Sequence, residues 1–196
     1  FGFIKKSKLI NTSDSAVKIS LLDGIQNIMP ASIGSDEQNQ SSNLVDAYKR
    51  NELEEKTGLG IFALSAILVD KAEASEALKA NVVWSLGLDN PKHLLSSLQL
   101  NNFRLGKPIK QEVDVKAEKG AYFLNSEIIL EKESSKEWMI IANVNQNHSS
   151  IAKLSKQIKE ESSLVHIVND DINIGTKRLV ELNSASDAIQ ITSDNL

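Results

Sequence analysis

EVDVKAEKGAYFLNSEIILEKESSKEWMIIANV, residues 112–144, carries the clearest strand pattern in the chain. Val113 and Val115 alternate with Glu112, Asp114 and Lys116, and Lys119-Gly120 supplies a turn. Ala121 to Leu130 follows as an apolar run rich in β-branched and aromatic residues, residues 131–135 turn again, and Trp138 to Val144 closes the pattern. Alternation of period two between clusters of turn residues is the signature of strands. The stretch therefore predicts a meander of at least three antiparallel strands.

Working toward the amino terminus, residues 4–10 and 16–25 are two further β-rich segments, separated by Asn11-Thr12-Ser13-Asp14-Ser15. Such side chains hydrogen-bond nearby backbone and favour turns, so the two segments read as a hairpin, with Asp23-Gly24 as a bulge or an end. Residues 30–42 carry Gly, Pro, serines and amides and read as a long loop. Residues 43–54 suit helical spacing through Leu44, Val45, Tyr48 and Glu52, but 47–53 suits a strand equally well. The strand is preferred, because Lys56-Thr57-Gly58 makes a tight turn into a partner at 59–69. Residues 81–87, with Trp84, and 94–105 are read as strands as well.

Toward the carboxyl terminus the period changes. Ile151, Leu154 and Ile158 recur at spacings of three and four with Lys153, Lys156 and Lys159 outward, an amphipathic helix with Ser149 or Ser150 as its cap. Residues 163–182 place Leu164, Val165, Val168, Ile172, Leu179 and Leu182 near one face of a second helix, with Gly175 as its weak point. The polar tail 183–196 reads as the start of a connection. Strands followed by helices predict a mainly β chain: an antiparallel β-sandwich over 1–146 and a helical linker over 147–196.

The bulk properties narrow the function classes. The chain has 196 residues, 41% of them hydrophobic, enough for one sizeable core. Its 22 basic and 26 acidic residues give a formal charge of -4 with no block of like sign, so nucleic acid is not an expected partner. Cysteine is absent, which removes disulfides, thiolate metal sites and a cysteine nucleophile. The longest apolar run, 59–69, falls short of the ~20 residues of a membrane helix, so a soluble chain is expected, with cytoplasm and periplasm both open. Phe1-Gly2-Phe3-Ile4 already reads as a strand without leader features, which suggests a domain of a longer polypeptide.

Chemistry-bearing motifs are sparse. Gly58-Leu59-Gly60 lacks the third glycine of a dinucleotide loop and opens a strand. His93, His148 and His166 lie far apart and form no ligand pair, so surface or capping roles are expected and no metal. Ser65 is in no nucleophile motif and is placed on a buried strand. Asp170-Asp171 and Glu160-Glu161 are adjacent on helices and diverge, as solvated faces do. No catalytic residue and no cofactor are expected. The segment from Asp46 to Glu52 is the exception: Tyr48 offers an apolar ring face, and Arg50 and Asn51 offer planar hydrogen-bonding groups suited to sugar hydroxyls. The plainer reading is a charged edge strand that resists aggregation. Trp84 and Trp138 are candidate sugar platforms, against the plainer reading that both fill the core.

Three groups of residues carry a family resemblance. Leu21-Leu22-Asp23-Gly24-Ile25-Gln26-Asn27, the pair Tyr48-Lys49-Arg50-Asn51-Glu52-Leu53 and Thr57-Gly58-Leu59-Gly60, and Ala185-Ser186-Asp187-Ala188-Ile189-Gln190 resemble the amino-terminal region of cellobiose/chitobiose phosphorylase-like glycoside hydrolase superfamily enzymes. The resemblance implies a galactose mutarotase-like β-supersandwich, a helical linker, and a catalytic (α/α) barrel beyond Leu196 as partner. It carries no catalytic residue onto this chain, since the family's general acid lies in the barrel. It implies an accessory domain that supports the barrel, contacts carbohydrate through Tyr48, Arg50, Asn51 or Trp84, and admits a homodimer interface. An independent carbohydrate-binding module and a purely structural sandwich are the competing readings.

Overall fold

The computed structural model describes residues 2–66 and 77–185. Gly2–Glu160 form one compact unit, and a second unit begins at Glu161. Among the described residues, the first unit holds nine strands in two antiparallel sheets. They are β1 (Phe3–Ile10), β2 (Val17–Ile28), β3 (Lys49–Glu54), β4 (Leu59–Leu64), β5 (Lys79–Leu86), β6 (Lys92–Leu94), β7 (Asp114–Lys116), β8 (Gly120–Leu130) and β9 (Ser135–Asn147). The six-stranded sheet runs β1-β9-β5-β4-β3-β7 and the three-stranded sheet β2-β8-β6. The chain is a mainly β sandwich with helices at its carboxyl end.

Alternation along the strands builds the core between the sheets. Leu53, Phe62, Val83, Trp138 and Ile140 of the larger sheet pack with Tyr122 and Leu124 of the smaller one. Full burial of such side chains stabilises the fold by ~1.5–3 kcal/mol each. Intervening residues of β8 face the other way, and there Ala121 and Phe123 gather Leu94, Ile109, Leu22, Leu100 and Phe103 into a minor core on the outer face of the small sheet.

The predicted hairpin of the first two segments does not form. β1 pairs with β9 and β2 with β8, so residues 11–16 are a corner between sheets. Asn11 explains why. It is buried, its backbone N–H donates to Ser134 O (2.9 Å), and its Nδ2 donates to Ser15 O, Leu130 O and Glu131 O at 2.8–3.0 Å. The corner is thus bonded to the turn between β8 and β9 instead of closing a hairpin. The predicted meander is corrected for the same reason, because β7 pairs with β3, β8 with β2 and β6, and β9 with β1 and β5. Each of these consecutive strands changes sheet.

Other elements differ locally. β2 passes straight through Asp23-Gly24, and its irregularity falls at Asn27, whose φ of 57° lies in the left-handed region. The loop at 30–42 contains α1 (Ser35–Gln40). Both readings of 43–54 hold in part: α2 (Ser42–Tyr48) buries Val45, and β3 follows at once, joined to β4 by the predicted tight turn. Of the strand expected at 59–69, 67–69 lie outside the described residues. The strand expected at 94–105 is short β6 followed by α3 (Leu100–Arg104).

The helices after Gln146 form as expected, α4 (His148–Glu160) in the first unit and α5 (Leu164–Ala185) in the second. The cap of α4 is Asn147, whose Oδ1 accepts from Ser150 N (2.9 Å), in place of either serine. Lys159 ties α4 to β3 through Glu54 (2.7 Å). α5 runs through Gly175 unbroken. The tail beyond 185, with the Asp187 segment, lies outside the described residues.

Candidate functional site: a trough on the outer face of the small sheet

The polar segment chosen from the sequence is dispersed by the fold. β3 lies between β4 and β7, one strand in from the edge. Tyr48, the last residue of α2, is half-buried, and its carbonyl accepts from Ser65 N (2.8 Å) and Oγ (3.2 Å). Ser65 itself is exposed, just past β4. Lys49, only 3% exposed, donates from Nζ to Asp46 Oδ1 and Gln38 Oε1, both at 2.7 Å, and so clamps α1 and α2 together. Arg50 and Asn51 then point to opposite faces of the sheet. Arg50 is partly exposed and pairs with Asp114 (3.1 Å) and Glu52 (2.9 Å). Asn51 is buried and donates to Leu95 O (3.3 Å) and Glu118 O (3.2 Å).

Trp84 is fully buried on β5, where Nε1 donates to Asn143 Oδ1 (3.3 Å). Trp138 is also core, with Nε1 donating to Asp23 Oδ2 (2.7 Å). Neither ring faces solvent as a platform. His93 is not a surface histidine: it is buried against the Tyr122 ring, with centroids 5.5 Å apart. Among the described residues no group of three or more His, Cys, Asp or Glu side chains could hold a metal ion, and no helix is long and apolar enough to cross a membrane.

A different surface has the shape of a site. Along the outer face of the small sheet lie two open cavities, one of about 640 Å³ and one of about 440 Å³. The larger is lined by Ser20, Asn125 and Glu127 of the sheet together with Asp89, Lys92 and Lys107-Pro108. The smaller is mainly apolar, with Leu22, Leu100 and Phe123, and Gln26 and Arg104 at its rim. Phe103 lines both. The trough, these two cavities taken together, has a polar and an apolar lining that share one aromatic ring.

Local sequence explains each wall. On β2, Ser20, Leu22 and Gly24 share the outer face by the period of two, opposite Glu127, Asn125 and Phe123 in the β8 register. A Cβ at Gly24 would lie 2.4 Å from Phe123 Cδ1, so the glycine lets the ring lie against strand β2. The wall carrying Phe103 is pinned at its base by Glu112, which accepts from Leu95 N (2.8 Å), Ser96 N (2.9 Å) and Gln99 Nε2 (2.8 Å). Gln99 in turn bonds both backbone groups of Lys110, at 2.8 and 2.9 Å. The trough is held by side chains that leave little freedom to its wall.

The carboxylates of the polar stretch are paired with lysines. Glu127 pairs with Lys18 (2.6 Å) and Asp89 with Lys136 (2.9 Å), while Lys92 Nζ donates to Ile109 O (3.1 Å). The hydrogen bond from Lys18 and its charge hold the Glu127 carboxyl below the usual glutamate range, so it is an ionised acceptor. Asn125 donates from Nδ2 to Leu21 O (3.0 Å), which orients its amide. None of these residues stood out in the sequence, where they are scattered from 18 to 136. The one available signal was alternation on β2 and β8, which marks their polar face but not what lies over it.

No family model and no curated protein matches the chain.

Proposed function

We propose that the chain is a non-catalytic β-sandwich domain of a larger carbohydrate-active enzyme, a glycoside hydrolase or phosphorylase, and that it contacts carbohydrate at the trough. The observation that carries this reading is the pairing of oriented planar polar groups with aromatic and aliphatic surface in one open groove. A sugar ring presents hydroxyls at its edge and C–H groups on its faces, and such a lining suits both. The resemblance of three segments to the amino-terminal region of the phosphorylase-like superfamily supports the same reading, with the sandwich steadying a catalytic barrel. That reading moves the sugar contact from Tyr48, Arg50, Asn51 and Trp84 to the trough.

The domain does no glycosidic chemistry of its own in this account. Cleavage needs a carboxylic acid with a raised pKa to protonate the leaving oxygen, and Glu127 is shifted the opposite way by Lys18. The purified chain should therefore be retarded in native gels cast with a soluble polysaccharide from a panel of glucans, xylans and mannans, and should release no aglycone from aryl glycosides. Unchanged mobility in every polysaccharide would refute sugar contact. Turnover abolished by replacing one of the chain's own carboxylates would refute the non-catalytic role.

A further inference from the structure

We infer that the two cavities flanking Phe103 form a single site for a linear oligosaccharide, which lies along β2 and β8 with sugar units on both sides of the ring. This rests on the carbohydrate reading of the trough and specifies its ligand. The polar cavity is lined by two acidic and two basic side chains, Asp89, Glu127, Lys92 and Lys107, and so offers both acceptors and donors to hydroxyl groups. Its two carboxylates are already neutralised by Lys18 and Lys136 and remain as hydroxyl acceptors. A wholly apolar ligand would strand these groups without hydrogen bonds, which is costly.

Length follows from the geometry. The cavities, about 640 and 440 Å³, each fall in the size range of a small-molecule site. Phe103 is the residue common to both, and it is anchored in the minor core with Leu100, Ile109 and Phe123. A ligand confined to one cavity would leave the other solvated and use one side of the ring. A chain that passes over Phe103 engages both.

The test is calorimetric titration of the purified chain with gluco-, xylo- and manno-oligosaccharides, each from the monosaccharide to the hexasaccharide. Affinity should rise with chain length by at least about tenfold and then level off once both cavities are filled. Phe103→Leu keeps an apolar side chain in the minor core but removes the ring. It should cost the longer sugars about tenfold in affinity and the monosaccharides clearly less. Its melting temperature, measured alongside, confirms that the fold persists, and Lys107→Ala serves as a variant outside the minor core that should weaken the same sugars. Equal affinity for mono- and hexasaccharide, or a folded Phe103→Leu variant that binds as the parent does, would overturn the inference and leave sugar contact standing. Absence of binding to every sugar would overturn both.

Discussion

Asp23 on β2 and Trp138 on β9 join the two sheets: the indole Nε1 donates to Asp23 Oδ2 at 2.7 Å. Lys5 and Ser7 of β1 donate to the same carboxylate, and Asp23 Oδ1 also accepts from the backbone of Gly24. One side chain of the small sheet thereby satisfies donors from two strands of the large one. Partial burial pushes the carboxyl up, but the bonds from Lys5 and Trp138, the Lys5 charge and the Ser7 hydroxyl outweigh it, so its pKa lies below the ordinary 3.8.

A group that binds protons less readily in the folded state stabilises the fold above its unfolded pKa and ceases to do so as pH falls through the folded one. Stability should therefore drop on acidification below about pH 4, and Asp23→Asn should flatten that part of the profile. Asp23→Ala, which leaves Trp138 and Lys5 without their acceptor, should cost about 2–4 kcal/mol at neutral pH. Urea denaturation across pH measures both.

His93 gives a second pH dependence with the same sign in a different window. Burial lowers its imidazole below the ordinary 6.5, with a hydrogen bond to Gln111 opposing in part. The neutral form is thus favoured in the fold, so stability should be full above about pH 6.5 and decline below it. His93→Leu should remove that decline in melting temperature between about pH 7 and 5. Gly58, whose φ is 70°, sits against the same ring, and a Cβ there would lie 2.6 Å from His93 Nε2. Gly58→Ala should cost more than the ~1–2 kcal/mol of the left-handed backbone alone.

Arg50 and Asn51, adjacent in the segment first singled out for function, should behave in opposite ways. Arg50→Ala removes partly exposed ion pairs and should change stability by less than about 0.5 kcal/mol. Asn51→Ala removes a buried amide that serves Leu95 O and Glu118 O and should cost about 1–3 kcal/mol. Thermal denaturation of the two variants side by side checks the contrast.

Asn11 should be among the most sensitive polar positions, because its amide holds three carbonyls of the paired corners. Asn11→Ala should cost about 2–3 kcal/mol, and Asn11→Asp, which cannot donate, should not restore it. Equilibrium unfolding of the two variants decides this.

The same residue marks where sequence reading succeeds and fails. Alternation through Tyr122, Leu124, Ser126 and Ile128 names β8 and its inward face, since period two is a property of the strand alone. Asn11-Thr12-Ser13-Asp14-Ser15 names a turn but not which strands it joins. A hairpin loop and a corner between sheets use the same side chains, and the acceptors that distinguish them lie more than a hundred positions away. Lys49 shows the converse: a lysine reads as solvated, yet Gln38 and Asp46 make its burial tolerable. The trough was illegible because its floor, side and wall come from residues 20–26, 89–92, 100–109 and 123–127, brought together by the sheet changes after β1, β5 and β7.

The most direct test of the account is a two-dimensional amide NMR spectrum of the isotope-labelled chain, titrated with the tightest-binding oligosaccharide. The account predicts shift changes confined to the trough, at Ser20, Leu22, Lys92, Phe103, Asn125 and Glu127, with Tyr48, Arg50 and Asn51 unmoved. Shifts centred on Tyr48, Arg50 and Asn51, or a spectrum unchanged at saturating sugar, would contradict it.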